Sequence, residues 1–486
     1  MMKFKKQYIF ILIAALVLGF AGGFAGVKLA QPDQAEQDHK ADIDLPLDKD
    51  NEEMEQPKNM DKVVQAFNLI KKHYLKDVKD QELIEGAVKG MLGTLDDPYS
   101  TYMDAETMEQ FNETIESSFE GIGAEVSMVN GKVTIIAPIK DSPAEEAGLR
   151  PNDQILKVDK ESVEGLELYE AVEKIRGKKD SKVVLQVQRP GVSEPFDVTI
   201  KRDDIPVETV YSKEKEIDGK KTGILEITTF SENTATEFKE QLTKLEEDGL
   251  EGLVIDVRGN PGGLFNAVED ILKLFITKDV PYVQIEDQNG EKTPYYSDLK
   301  EKKDYPVSVV IDEGSASASE ILAVAMKEAG YDIVGTKSFG KGTVQQAVPM
   351  GDGSTIKLTF YKWLSPEGNW IHEKGVEPTI KVKQADYFYS NPVQIDKPLT
   401  YNHTGDNIKN IQIMLLGLGY EPGRKDGYFN KETEKAVKQF QQDNDLQATG
   451  KIDKETAGLI EAQIVDHIRS GDDDQQMAKA LEELYK

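Results

Sequence analysis

Three side chains in one stretch of the sequence could together open an acyl bond: Ser317, Lys341 and Gln345. A serine hydroxyl is a poor nucleophile until a base takes its proton. Lysine can be that base if burial lowers its pKa toward neutrality. Lys341 suits the role, because Phe339 precedes it, Gly340 and Gly342 flank it, and residues 333–340 contain no acid that would hold it charged. Gln345 can hydrogen-bond the amine without adding charge. Ser317 also fits a blander pattern, since Ser317-x-x-Glu320 is a capping box. A serine at a helix N-terminus would, however, place developing oxyanion charge beside free backbone N–H groups. Ala316 and Ala318 leave room there for a substrate backbone. The N–H of Ala318 and those of Gly262 and Gly263 are the candidate oxyanion donors. Residue types alone leave Ser315 and Ser319 open as alternative nucleophiles.

Other chemistries are disfavoured. The chain has no cysteine, which excludes thiol catalysis, disulfides and cysteine metal sites. It has five histidines and no HExxH, so no metal or other cofactor is expected. His372, within Gly-Asn-Trp-Ile-His-Glu, has no evident serine or acid partner. Residues 335–342 nearly match a phosphate loop but end in Gly342 rather than Ser or Thr, and 343–348 read as a strand, not a helix. A net charge of −29 argues against nucleic acid as a partner.

The elements around these residues alternate. Residues 307–311 read as a strand, 317–329 as a helix and 333–335 as a second strand. Upstream, 221–228 reads as a strand and 235–246 as a helix with Phe238, Leu242 and Leu245 on one face. Residues 252–257 form a buried strand, apolar apart from Asp256, that ends in Arg258-Gly259-Asn260-Pro261-Gly262-Gly263. This rhythm predicts an α/β core with a mostly parallel sheet. In such sheets, sites form beyond the carboxyl ends of the strands, where both 260–263 and 315–319 fall.

The rest of the chain reads as a multidomain protein. Lys3, Lys5 and Lys6 precede an uncharged run over 8–27, long enough to cross a bilayer with the lysines on the cytoplasmic side. A cleaved signal is the alternative, although Lys28 stands where a small residue is wanted. Residues 1–30 are therefore expected to form a transmembrane or signal segment, and 31–58 an acidic disordered linker. Two short helices over 59–92 stop at Leu95-Asp96-Asp97-Pro98-Tyr99-Ser100, so 59–114 is expected to form cap helices. Residues 115–203 combine a glycine turn, an Asn130-Gly131 hairpin signal, Ser142-Pro143-Ala144-x-x-Ala147-Gly148-Leu149 and Asp153-x-Ile155-Leu156-x-Val158. They resemble a PDZ domain of the permuted kind found in bacterial proteases. That resemblance implies a module that binds a peptide C-terminus by strand addition, with the backbone of Gly121, Ile122, Gly123 and Ala124 receiving the carboxylate. Arg176 reads as a solvated charge or as a link between this domain and its neighbour. Residues 204–398 would form the α/β core. Residues 399–465 carry a weak internal repeat and resemble a small helical peptidoglycan-binding domain, departing from it at Ile411 and Asn430. The final segment, 466–486, reads as a helix with Met477, Leu481 and Leu484 on one stripe, suited to packing or dimerisation.

Taken together, the Leu95–Ser100 turn, the PDZ-like region, the 258–263 loop, Gly314-Ser315-Ala316-Ser317-Ala318-Ser319-Glu320 and Phe339-Gly340-Lys341-Gly342-Thr343-Val344-Gln345 resemble the C-terminal processing peptidases, or tail-specific proteases, over about residues 60–400. The family pattern places the nucleophile at the serine three before the glutamate, Ser317, the base at Lys341 and its supporting residue at Gln345. The usual Asn-Asn-Pro-Gly-Gly loop departs here at Gly259. The resemblance implies a serine endopeptidase that selects polypeptides by accessible C-termini. Anchor and C-terminal domain look like the Bacillus-type branch, whose members act in sporulation signalling or in trimming envelope proteins. The expected protein is a single-pass, extracytoplasmic, homodimeric endopeptidase with peptidoglycan as a further partner. The alternative is a non-enzymatic PDZ and wall-binding scaffold on a protease-like fold.

Overall fold

The computed structural model describes residues 59–129 and 131–486. The expected membrane segment, the acidic linker and Asn130 of the hairpin signal lie outside the described residues. Among those described, no helix is long and apolar enough to cross a membrane.

Two sheets build the α/β core. The first has the order Val210–Ile217, Lys220–Ile227, Gly252–Asp256, Val307–Ile311, Asp332–Gly335, Ile380–Lys381. Its first two strands form an antiparallel hairpin and each later pairing is parallel. Gly252–Asp256 and Val307–Ile311 are buried at every position, so they read as unbroken apolar runs. Alternate residues face opposite sides. Leu253, Ile255, Val309 and Ile311 join the main core with Phe238, Leu242, Ile271, Ile321 and Leu322 from three helices, Thr234–Glu247, Phe265–Leu272 and Ala318–Glu328. Val254, Val310 and Val334 meet Met477, Ala480, Leu481 and Leu484 of the C-terminal helix Gln475–Glu483 and the residue that follows it. The apolar stripe of the tail thus packs on the chain's own sheet, and each side chain it covers contributes about 1.5–3 kcal/mol.

The second sheet joins Thr101–Met103, Thr355–Leu364, Val283–Glu286 and Lys292–Tyr295 in that order, with Thr343–Pro349 also paired to Thr355–Leu364. All of its pairings are antiparallel. The expectation of a mostly parallel core is therefore corrected: parallel pairing is confined to one sheet. Parallel neighbours need a long crossover, whereas Met350-Gly351-Asp352-Gly353-Ser354 returns the chain at once and permits only an antiparallel partner. Thr343–Pro349 is a strand, not the helix a phosphate loop requires.

The PDZ-like region leaves the core through a two-stranded stem, Ser118–Gly121 with Asp203–Pro206. Beyond the stem, Ala124–Val129, Lys132–Pro138, Gln154–Val158, Lys182–Gln188 and Phe196–Lys201 form an antiparallel sheet with its own core around Ile135, Ile155 and Leu185. Near the C-terminus, Asp406–Gly417, Lys431–Asp443 and Lys454–Ser470 enclose Ile411, Leu415, Phe440 and Ile460. The internal repeat is physical. Asn430 and Asp453 each cap the following helix, and the Gln412 and Gln441 carboxamides accept the Gly427 and Gly450 N–H groups at 2.9 and 2.8 Å. Asn430, a departure from the family pattern, is a helix cap.

The first two helices, Asp61–His73 and Asp80–Leu92, bury no residue. The third, Ala105–Ile115, adds Met108, Phe111 and Ile115 to the main core.

Candidate active site

The turn after Val307–Ile311 presents three serines in different bonding states. Ser315 Oγ donates to the Val257 carbonyl at 2.7 Å, and Ser319 Oγ to the Asn260 carbonyl at 2.9 Å. Ser317 Oγ, equally buried, has no hydrogen-bond partner among the described residues. Among the three, only Ser317 has an uncommitted hydroxyl. Its backbone is also strained, at φ 56° and ψ −109°, a conformation that costs a non-glycine residue about 1–3 kcal/mol and tends to be retained at functional sites.

Glu320 holds that conformation. The pair has the capping-box arrangement, yet by strict geometry only the backward half is a bond. Ser317 N–H donates to Glu320 Oε2 at 2.8 Å, and the Glu320 N–H goes to the Ser317 carbonyl. The same Oε2 accepts the Lys341 N–H at 2.8 Å, while Oε1 accepts Ser338 Oγ at 2.6 Å and the Gly340 N–H at 2.7 Å. One buried carboxylate thus ties the backbones of Ser317 and Lys341 together. Burial pushes the Glu320 carboxyl up from its usual pKa, against the pull of these four bonds. Four donors converge on it, an arrangement that the acceptor-only ionised form satisfies.

The Lys341 loop is clamped from outside. Trp363 Nε1 donates to the Lys341 carbonyl at 2.9 Å and Trp370 Nε1 to the Gly342 carbonyl at 2.8 Å. His372 stacks on Trp370, and its Nδ1 accepts the Gly342 N–H at 3.3 Å. The Lys341 amine lies 4.9 Å from the centre of the Tyr99 ring. Burial, aided by the charge of Lys357 and opposed by Asp97 and Glu320, lowers its pKa from 10.5 to about 7. Roughly half of it would then be neutral at pH 7, against about one part in three thousand for an ordinary lysine. Lys357, a second buried lysine, is pushed down to about 8, also by burial.

Gln345 is fully buried. Its Nε2 donates to Thr343 Oγ1 at 2.9 Å and to Thr359 Oγ1 at 3.1 Å, and its Oε1 has no partner among the described residues. Thr359 Oγ1 passes the chain on to Asp97 Oδ2 at 2.6 Å. The expected bond from Gln345 to the lysine amine is not made here, nor is a bond from Ser317 Oγ to that amine. All three residues are buried and Glu320 links the backbones of two of them, but no side-chain bond joins the three.

Beside Ser317 lies the 258–263 loop. The Gly262 N–H, one of the three expected oxyanion donors, is committed to Asn260 Oδ1 at 2.8 Å. Gly262 serves instead by being small: a Cβ there would sit 2.9 Å from that of Ser317 and 3.0 Å from Ala318 N. Gly263, at φ 148°, could carry no side chain at all, since its Cβ would fall 2.0 Å from the Phe230 oxygen. The N–H groups of Gly263 and Ala318 donate to no acceptor among the described residues.

Residues 221–382 match the pattern of peptidase family S41, and residues 134–189 that of a PDZ domain. Residues 404–460 match a putative peptidoglycan binding domain, and residues 16–107 the N-terminal domain of the activating protease CtpB. The carboxy-terminal processing protease CtpB of Bacillus subtilis is 52% identical over 483 residues, 99% of either chain. The chain belongs to peptidase family S41, as a C-terminal processing serine protease. CtpA of the same organism is 44% identical over 429 residues, which span 88% of this peptidase and 90% of CtpA. Among solved structures, the photosystem II D1 C-terminal processing protease is similar over 66% of this chain and 92% of its own, at 27% identity and a TM-score of 0.41.

In the PDZ domain of the peptidase, Ala124–Val129 is an edge strand with the helix Leu168–Ile175 alongside. The Ile122 carbonyl accepts the Ala144 N–H at 2.7 Å, and the Gly123 carbonyl accepts Ser142 Oγ at 2.8 Å, which fixes the turn ahead of that strand. Arg176 caps the helix, lies over the Phe119 ring at 5.1 Å and reaches Gly121.

Sequence reasoning missed the wider roles of Glu320, Asp97, Tyr99, Lys357 and the two tryptophans. Glu320 had a signal: it is an acid inside the apolar run Ala-Ser-Glu-Ile-Leu-Ala-Val-Ala-Met, at a position the helix buries. Asp97 and Tyr99 lie more than two hundred residues from Lys341 in sequence, and nothing in their local pattern connects them.

Proposed function

We propose that the peptidase cleaves polypeptides through a Ser317/Lys341 dyad. Neutral Lys341 takes the Ser317 Oγ proton as Oγ adds to the scissile carbonyl. The resulting oxyanion is received by the N–H groups of Ala318 and Gly263. The lysine ammonium returns its proton to the departing amine and leaves an acyl-serine. Water then attacks, giving its proton to the same lysine, which passes it to Ser317 Oγ as the ester C–O bond breaks and the acid product leaves. Gln345 Oε1 would steady the amine once it turns from Tyr99 toward the serine. The observation carrying this reading is that the uncommitted serine hydroxyl and the depressed lysine share one anchoring oxygen, Glu320 Oε2.

The uncharged run over 8–27 supports an enzyme anchored in the membrane with its body outside the cytosol. Its substrates would belong to envelope protein processing or sporulation signalling, and its C-terminal domain would bind peptidoglycan. The exposed Val63, Val64, Ile84 and Met91 of the first two helices suit burial in a homodimer, which sedimentation at micromolar concentration would reveal as twice the chain mass. A serine-directed phosphonate that cannot cross membranes tests both chemistry and location. In intact cells it should label Ser317, with the label in the membrane fraction and absent from Ser317→Ala. Label on Ser315 or Ser319, or only after lysis, would overturn the assignment.

The PDZ domain would admit substrates by their tails, opening the buried serine when a carboxylate reaches the Gly121–Ala124 turn beside Arg176. A substrate amidated at its C-terminus should then lose about tenfold or more in kcat/KM, the effect of removing one charge-assisted bond. Equal rates for the acid and the amide would exclude recognition of the carboxylate.

A further inference from the structure

We propose that the C-terminal helix Gln475–Glu483 braces the oxyanion loop from behind, with Asp474 as a positioning residue acting through Arg258. This rests on the reading that Gly263 and Ala318 receive the oxyanion. Arg258 opens the 258–263 loop, and two acids grip it from opposite sides of the chain. Asp256, at the end of its strand, accepts Nε at 2.9 Å and Nη2 at 2.6 Å. Asp474, far along the sequence, accepts Nη1 at 2.8 Å and Nη2 at 2.7 Å. All three side chains are at least four-fifths buried. Burial opposes the charge on Arg258, but the bonds to the two carboxylates outweigh it and raise its pKa. Paired forks of this kind fix orientation as well as proximity.

Asp474 is itself held in place. Its Oδ1 caps the tail helix through the Met477 N–H at 2.9 Å and accepts Gln384 Nε2 at 2.7 Å. Gln476 Nε2 donates to the Val382 carbonyl at 3.0 Å. The tail is seated by Met477, Leu481 and Leu484 on the sheet, and by the Tyr485 hydroxyl against Thr222 Oγ1 at 2.6 Å. The brace continues past Arg258. Gly259 N–H is held by Asp312 Oδ1 at 2.8 Å, and Asn260 Nδ2 by the Ile227 carbonyl at 2.8 Å. The Asn260 carbonyl accepts the Ala316 N–H at 3.0 Å and Ser319 Oγ at 2.9 Å, on either side of Ser317. A shift at Arg258 therefore reaches both oxyanion donors through a few stiff bonds.

The same corner joins the tail to the C-terminal domain. Helix Lys454–Ser470 ends at Gly471, and Asp473 bonds the Tyr387 hydroxyl at 3.0 Å, one residue before Asp474. Seating of that domain is thus felt at the oxyanion loop.

Asp474→Ser in the full-length chain tests the proposal. Serine keeps the helix cap but is too short to reach Arg258, which retains Asp256 and so stays charge-balanced. With a quenched-fluorescence polypeptide substrate, kcat should fall about tenfold with KM unchanged, as expected for a small displacement of transition-state donors. The rate of phosphonate labelling at Ser317 should fall by the same factor, and Tm should drop by a few degrees as Arg258 and Gln384 each lose an acceptor. Leu242→Ala, which opens a cavity in the main core away from the tail, should lower Tm at least as far and leave kcat intact at temperatures well below it. Wild-type kcat in Asp474→Ser would overturn the proposal, as would a loss that follows Tm in both variants. Ser317→Ala in the same assay reports separately on the nucleophile, since it leaves the tail untouched.

Discussion

Lys341→Met should lower kcat/KM by about a thousandfold, within the range that a positioned general base supplies. Methionine keeps an apolar stem of similar length in the buried position but cannot take a proton. Lys341→Arg should be as inactive, because a guanidinium does not deprotonate in the working range. With Lys341 as the base, the active form is the neutral amine, and its pKa is lowered to about 7, by burial first and by Lys357 second. The sign follows: kcat/KM should be low near pH 5.5, rise through about pH 7 and level off above pH 8. Lys357→Met removes a neighbouring positive charge, so Lys341 should hold its proton longer and the rising limb should move to higher pH. A wild-type profile flat from pH 5.5 to 9, or a Lys341→Met variant within tenfold of wild type, would show that another group is the base.

Much of the protein was legible in local patterns, for physical reasons that also mark where legibility ends. The parallel strands could be read because they are buried on both faces and therefore continuously apolar, as in Val307–Ile311. The antiparallel second sheet could not. Thr355–Leu364 is only partly buried along its middle, and its partners come from residues 101–103, 283–286 and 343–349. Ser317, Lys341 and Gln345 could be singled out as candidates because residue type, spacing and flanking glycines constrain them locally. Their surroundings were not, since Tyr99, Asp97 and Trp370 reach the site through tertiary pairing. The choice among Ser315, Ser317 and Ser319 needed either a family pattern or the backbone. The structure adds that the 257–260 segment binds the hydroxyls of Ser315 and Ser319 and leaves that of Ser317 unbonded. The reading of Gly262 as a donor fell for the same kind of reason, because no sequence pattern tells that Asn260 folds its own side chain back onto that N–H.

Glu320→Gln should be the most damaging single change outside the dyad, although it alters no group that touches substrate. Glutamine has nearly the same shape but offers one acceptor oxygen where the carboxylate offers two. If its oxygen keeps Ser338 and Gly340, its NH2 faces the N–H groups of Ser317 and Lys341; turned over, it faces the other pair. Either way two buried donors lose their acceptor, at about 1–3 kcal/mol each. The strained backbone of Ser317 loses the bond that holds it, so Ser317 and Lys341 lose their shared anchor. A drop of several degrees in Tm and of about a hundredfold in kcat is expected, the latter being the usual cost of roughly 1 Å of misplacement. Lost stability alone could mimic that pair of effects, so the pH profile decides. Glu320 is one of the two charges that raise the pKa of Lys341. Removing it should let the lysine deprotonate more readily and move the rising limb to lower pH, even as the plateau falls. A limb that stays in place would reduce Glu320 to a helix cap. A limb displaced toward acid would make it the anchor that sets both the position and the charge state of the base.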